Sequence, residues 1–370
     1  MSKIIGSICP DYKPDWEETK KRYKAWWNHE YFGRCAISVT APKNHDGEMP
    51  QFQGDPKERF LDLDFLSRLN KYEMQHTFYG GEAFPIWNPR HPGWAFEAAY
   101  LGADVELCQD TAWTSPTMAE GELTCYDYQS VAIDPNNRWW KLSREFLRRM
   151  GQESRGESIP DIGAFGGCGD TLAALRGTEN LLIDLIDCPE YVAEFDQHLM
   201  RLWIDIYEDS YRILQENAQG STCWFQLWSP GKFYASQCDF AYMISPEMFR
   251  KVFLPSIQMQ LEYLDHAVYH VDGEGNFAHV DALCELPNLQ ALQILPGEGK
   301  PSPLHYLDVL KKVQAAGKNL HITIPGCQVE AALELLSAKG LFISTWCATE
   351  EEARQLIKLC EQRSKEKQGG

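Results

Sequence analysis

Residues 267–275 read Ala267-Val268-Tyr269-His270-Val271-Asp272-Gly273-Glu274-Gly275, a short apolar run that ends in three polar side chains and two glycines. A run of this kind bounded by glycine reads as a buried strand that turns sharply at its carboxyl end. Within a strand, His270 and Asp272 lie two residues apart and share a face. The pair has two readings. It is either a site for protons or metal, or a histidine held by its neighbour with Asp272 making an Asx turn.

Working outward from this strand, the chain alternates brief β-like runs with longer helical patterns, the signature of a parallel sheet covered by helices. Strands are expected at 35–40, 84–87, 162–167, 221–227, 267–271, 289–294, 320–324 and 341–345. Helices are expected over 14–30, 62–78, 139–150, 171–186, 189–217, 245–265, from the His270 strand to Cys284, and over 304–316 and 349–362. The helix at 245 has a clear start, with Ser245 as N-cap, Pro246 in the first turn and Glu247 behind it. Eight βα units in order are the number that closes a TIM (β/α)8 barrel, so the expected fold class is α/β with that architecture. A doubly wound sheet instead needs a Gly-rich fingerprint opening its first helix. Gly273-Glu274-Gly275 and Gly297-Glu298-Gly299 are only fragments of one. The 370 residues are expected to form one domain, 1–370, with a helical flap at 1–33 and a fraying tail at 363–370.

The net charge of −18 excludes a phosphate-backbone partner, because no basic block compensates it. No nucleic-acid or membrane partner is expected, and no apolar run reaches the length of a membrane span. The opening residues lack a secretory h-region, so a cytoplasmic location is expected. Twelve cysteines without a C-x-x-C pair read as reduced thiols.

In a barrel, the residues just past each strand's carboxyl end surround one mouth. That rule assembles Lys43, Trp87, Asn88, Cys168, Asp170, Gln226, Trp228, Gln293 and Trp346 as substrate-binding candidates, with Cys327 on the same wall. His270, Asp272, Glu274 and Glu298 are the catalytic candidates. His270, Asp272 and Cys347 offer an imidazole, a carboxylate and a thiolate, all competent ligands for first-row metals, and three protein ligands leave a position open for chemistry.

Several segments then resemble the uroporphyrinogen decarboxylase superfamily, which includes cobamide-dependent methyltransferases. The resemblance rests on Thr171-Leu172-Ala173-Ala174-Leu175-Arg176-Gly177-Thr178-Glu179-Asn180 with Pro189-Glu190 beyond, and on Ile244-Ser245-Pro246-Glu247-Met248-Phe249 with Leu254-Pro255. Tyr269-His270-Val271-Asp272-Gly273 stands where methyltransferase members place His-x-Cys-Gly, and Cys347 stands where they place a distant cysteine. Those members bind zinc through that set. The resemblance therefore implies a zinc-dependent methyltransferase or demethylase acting on a small organic substrate, with a cobamide carried by a separate corrinoid protein. It is also compatible with a homo-oligomer.

Two departures qualify the resemblance. Asp272 replaces the first cysteine, which makes a bound metal a stronger Lewis acid but a poorer promoter of a thiolate. The decarboxylase's Arg-Gln-Ala-Gly-Arg signature is absent, and Val39-Thr40-Ala41-Pro42-Lys43 stands there instead. Two alternatives stay open: a metal-free lyase or decarboxylase using His270 and Asp272 as acid and base on a small carboxylate anchored by Lys43 or Arg90, and a non-catalytic binding barrel.

Overall fold

A computed structural model of the chain describes residues 8–90, 96–216, 218 and 220–367. Its strands are β1 (Ala36–Pro42), β2 (Thr77–Gly81), β3 (Ile86–Trp87), β4 (Asp104–Leu107), β5 (Ala112–Ser115), β6 (Ile159–Pro160), β7 (Phe233–Ser236), β8 (His266–Asp272), β9 (Ala291–Leu295), β10 (Asn319–Thr323) and β11 (Leu341–Trp346). The helices are α1 (Trp16–Trp27), α2 (Leu63–Gln75), α3 (Phe96–Tyr100), α4 (Arg138–Ser154), α5 (Cys168–Arg176), α6 (Thr178–Asp187), α7 (Pro189–Gln215), α8 (Pro246–Val252), α9 (Leu254–Tyr263), α10 (Val280–Cys284), α11 (Leu307–Ala315), α12 (Val329–Leu335) and α13 (Glu350–Arg363).

The fold is mixed α/β. A seven-stranded sheet runs β2-β1-β11-β10-β9-β8-β7, parallel throughout except for β2, which returns antiparallel to β1. β3 and β6 form a separate parallel pair, from which a single bridge leads from Asp161 to Thr222. β4 and β5 are an antiparallel hairpin set apart from both. β7, β9 and β10 are buried along nearly their whole length, as strands covered on both faces must be.

The expected alternation is present, with informative shifts. Segment 162–167 is not a strand, because Gly163, Gly166 and Gly167 all take left-handed backbone angles and the pairing ends at Asp161. Segment 221–227 pairs only through bridges at Ser221 and Thr222 before turning, and the strand of that unit is β7, which starts twelve residues after Ser221. The expected helix at 171–186 is two helices parted by Gly177 at φ 88°, and the one at 245–265 breaks around Phe253 ahead of Pro255. Pro255 has no N–H to continue the first ladder. The expected helix at 62–78 stops at Gln75, and β2 takes its end.

Alternation along the strands assigns the interior. On β8 the inward set is His266, Val268, His270 and Asp272, and on β11 it is Phe342, Ser344 and Trp346. The Phe342 ring lies 5.4 Å from His321 of β10, and the His321 Nε2 and Ser344 Oγ are 2.8 Å apart. α1, expected as a flap, sits beneath this interior at the amino ends of the strands. Trp26 Nε1 donates to the Gly340 carbonyl at 3.0 Å, Asn319 Nδ2 donates to the Trp26 carbonyl at 2.6 Å, and the Trp27 ring lies tilted against His266 with 4.7 Å between centroids. Glu82, fully buried between Arg34 and Arg22 and accepting from the Ile37 N–H, ties that helix to β1 and β2. No described helix is long and apolar enough to cross a membrane.

Candidate metal and proton-transfer site

β8 delivers His270 and Asp272 to the carboxyl end of the sheet, where the His270 Nε2 and an Asp272 carboxylate oxygen are 3.5 Å apart. The imidazole is only 10% exposed. Its other nitrogen, Nδ1, makes a short hydrogen bond to the side-chain oxygen of Gln293 on the neighbouring β9. The register pairs His270 directly with Gln293. An amide oxygen can only accept, so Nδ1 carries the proton and Nε2 is aimed at Asp272. The rings of Trp224 and Phe225 stand edge-on to the imidazole, at 5.2 and 6.2 Å.

The third member of the group is Asp239. Ligand-competent atoms of Asp239, His270 and Asp272 all lie within 4.8 Å of one another. Asp239 follows β7 by three residues, and the loop carrying it is fixed from behind by Asp170, whose carboxylate accepts from the backbone N–H of Asp239 at 3.0 Å and of Phe240 at 2.9 Å. Asp170 opens α5, so this sequence candidate positions the site rather than lining it.

The charges are mutually adjusted. Burial alone lowers the His270 pKa, but the hydrogen bonds it donates to Asp272 and Gln293 and the charges of Asp239 and Asp272 outweigh it and hold the imidazole above its ordinary value. The His270 hydrogen bond holds Asp272 below the usual carboxylate range, against a desolvation cost. Desolvation, with the Asp170 carboxylate adding to it, pushes Asp239 up to about 7. Deeper in, burial and then the charge of His270 push His321 down to about 3, which leaves a neutral ring under the pair. Acids and bases set apart in this way on one wall are the usual arrangement for proton transfer.

The remaining candidates separate into distinct places. Gln226 lines a cavity with Ser38 and Thr40, and Asn88, just past β3, lines it too. Trp87, Cys168 and Trp228 are core residues, at 2%, 1% and 3% exposure. Lys43 turns back to the Asp11 carbonyl. Glu274 is bound to Lys300 at 2.8 Å and by a short hydrogen bond from Tyr306, so its carboxylate is committed to the loop. Glu298 is exposed.

Cys347 is not in the group. It continues β11 with the parity of Ile343 and Thr345, opposite to Ser344, and so faces outward. There it lines a surface cavity of about 660 Å³ with Cys327, Trp346 and the α13 residues Leu356 and Leu359. Burial and the Glu352 carboxylate push its thiol up.

The sequence reading does not reach Asp239 because its strand for this unit, 221–227, starts twelve residues ahead of β7. With a strand at 233–236, the strand-end rule that found Asp272 selects Asp239 as well. His321 had the same kind of signal, a polar residue at an inward position of a buried strand.

Backbone strain also gathers at this end. Among the described residues four that are not glycine have left-handed angles, and three of them are Arg90 just past β3, Cys168 at the start of α5 and Gln226 just past the Thr222 bridge. Such conformations cost about 1–3 kcal/mol each and collect at functional sites.

No protein-family model matches the sequence, and no curated protein matches it. Solved structures do match. A methyltransferase from Methanosarcina mazei superposes with a TM-score of 0.61, covering 93% of this chain and 98% of that chain, at 11% sequence identity. At that identity the likeness establishes a shared α/β fold.

Proposed function

We propose that the protein is a metal-dependent methyltransferase or demethylase acting on a small organic substrate. The observation that carries this reading is the convergence of Asp239, His270 and Asp272, and the fold shared with a methyltransferase supports it. The architecture that goes with it is a (β/α)8 barrel whose eight parallel strands are β1, β3, β6 and β7 to β11.

The donor set fits a divalent cation. One imidazole and two carboxylates are a three-ligand set with an open position, suited to zinc and, being oxygen-rich, to manganese. Gln293 fixes the His270 tautomer as outer-shell partners of metal-bound histidines do. Asp239, His270 and Asp272 would hold the ion, which would act as a Lewis acid toward a substrate heteroatom. Cys347 is left out of this set because of its outward parity. Trp224 and Phe225 would shield the imidazole from water. The methyl group's other carrier would be a corrinoid on a separate protein.

The test is metal analysis of the purified protein beside His270→Ala and Asp239→Asn. About one equivalent of divalent metal is expected in the native protein, with at least a tenfold loss in each variant. A native protein that holds no metal and takes up neither zinc nor manganese on dialysis overturns the proposal. The metal-free acid/base reading has its own support in the His270–Asp272 pair, which forms with protein groups alone. Turnover that survives excess chelator but not His270→Ala would favour it.

A further inference from the structure

Two cavities share three lining residues, Glu73, Asn88 and Arg90. The smaller, about 360 Å³, reaches Ser38, Thr40 and Gln226, the last of these next in sequence to Phe225 against His270. The larger, about 720 Å³, has Phe52, Phe60, Phe65 and Leu66 on its wall and the Arg59–Asp110 ion pair as well. Of the shared residues, Arg90 and Glu73 form a short ion pair.

The two partners of that pair are built differently. Glu73 sits on the last turn of α2. Arg90 has φ +57°, an angle at which Gly or Asn is cheap and Arg is not. The strained backbone is held by a polar clamp. The Asn88 side-chain oxygen accepts from the Arg90 N–H at 2.7 Å, and buried Asn70 locks Asn88 in turn, accepting from its N–H at 2.7 Å and donating to its carbonyl at 2.9 Å. An exposed cation on a strained backbone, held toward a cavity by Asn88 and the buried Asn70 behind it, is an anchor, and the Glu73 carboxylate occupies it as a ligand's carboxylate would. The guanidinium fork matches carboxylates in particular.

We infer that the adjoining cavities bind an organic acid with a flat, largely apolar body, its carboxylate displacing Glu73 from Arg90 and its body lying against the phenylalanine wall. Together the volumes suit a ligand of one or two rings. This names the substrate class for the proposed methyl-transfer site and rests on that reading for its relevance to catalysis, but not for the binding itself.

The probe is a matched trio, 4-phenylbutyrate, 4-phenylbutanol and 4-phenylbutylamine, titrated calorimetrically at 0.15 M salt. The acid is expected to bind at least tenfold tighter than the alcohol or the amine. Arg90→Gln should erase that preference, Arg90→Lys should keep part of it, and Glu73→Gln should tighten the acid a few-fold by removing its competitor, each variant checked by its melting curve. Equal binding of the three by native protein, or an unchanged preference in folded Arg90→Gln or Arg90→Lys protein together with no gain in Glu73→Gln, overturns the inference. Repeating the titration on His270→Ala protein separates it from the metal proposal. A preference kept there supports the anchor whether or not native protein binds metal, and one lost there while Arg90 is intact overturns its independence.

Discussion

The carboxyl ends of β8 and β11 carry similar chemistry and have opposite fates. Each ends in residues able to bind a metal, His270 and Asp272 on one and Cys347 on the other. On β8 both residues have the inward parity, and the register with β9 adds Gln293 to fix the imidazole. On β11 the inward residue at the corresponding level is Trp346, 61% exposed at the rim, and Cys347 falls on the helix side. Because side chains alternate with a period of two, one residue of offset moves a ligand from the mouth to the outside of the sheet. Reactive residue types at strand ends therefore form a site only when their parity agrees.

The sharpest way to break this contrast is to remove one residue from each end. His270→Ala is expected to lower bound metal and activity by at least tenfold, whereas Cys347→Ala should leave metal stoichiometry unchanged. Metal analysis of the two variants checks it, and loss of metal in Cys347→Ala would restore the thiol as a ligand.

A second, smaller effect concerns the partner that orients the ring. Gln293→Leu keeps the volume but removes the acceptor for Nδ1–H, and a tenfold to hundredfold loss of metal affinity is expected, as for other outer-shell partners. Competition with a metallochromic chelator reads it directly. Affinity within twofold of native would show that the β8–β9 register does not organise the imidazole.

Thiol chemistry sharpens the other side. Cys347 and Cys327 line an open cavity away from His270, so alkylation of the protein by a small maleimide should label them at the same rate, within about twofold, with or without added zinc. Peptide mapping by mass spectrometry follows the two sites separately. Protection of Cys347 by zinc would contradict its outward placement.

A last prediction concerns the residue that follows β6. The Asp161 carboxyl, buried and accepting from the Gly163 N–H, is pushed up to about 7 by burial. Its pKa in the unfolded chain is near 3.8. Between those values the unfolded state releases the proton and the folded state keeps it, so stability is full below pH 3.8 and falls as pH rises toward 7. The slope is about 1.4 kcal/mol per pH unit for one such group. Asp161→Asn should flatten part of the decline in melting temperature between pH 5 and 7, and an unchanged slope would mean that the carboxyl is already ionised in the fold.

The periodicity of the chain made most of the elements legible. β8, β9, β10 and β11 lie within a few residues of their expected places because each is a short apolar run bounded by turn residues. The fourth unit was not legible in the same way. Cys223-Trp224-Phe225 is as strand-like as Phe233-Tyr234-Ala235-Ser236, and nothing local says that the first must turn back, with Gln226 in a left-handed conformation, so that the second can pair with β8. Asp239 was lost with that choice.

His270 and Asp272 share a face because a strand alternates, and that much follows from the order of the residues. The partnership of His270 with Gln293, the addition of Asp239 held by Asp170, the exile of Cys347 and the meeting of Arg90 with Glu73 depend on register and on which segments lie side by side. Those are set by packing among residues far apart in the chain, so tertiary structure alone decided them.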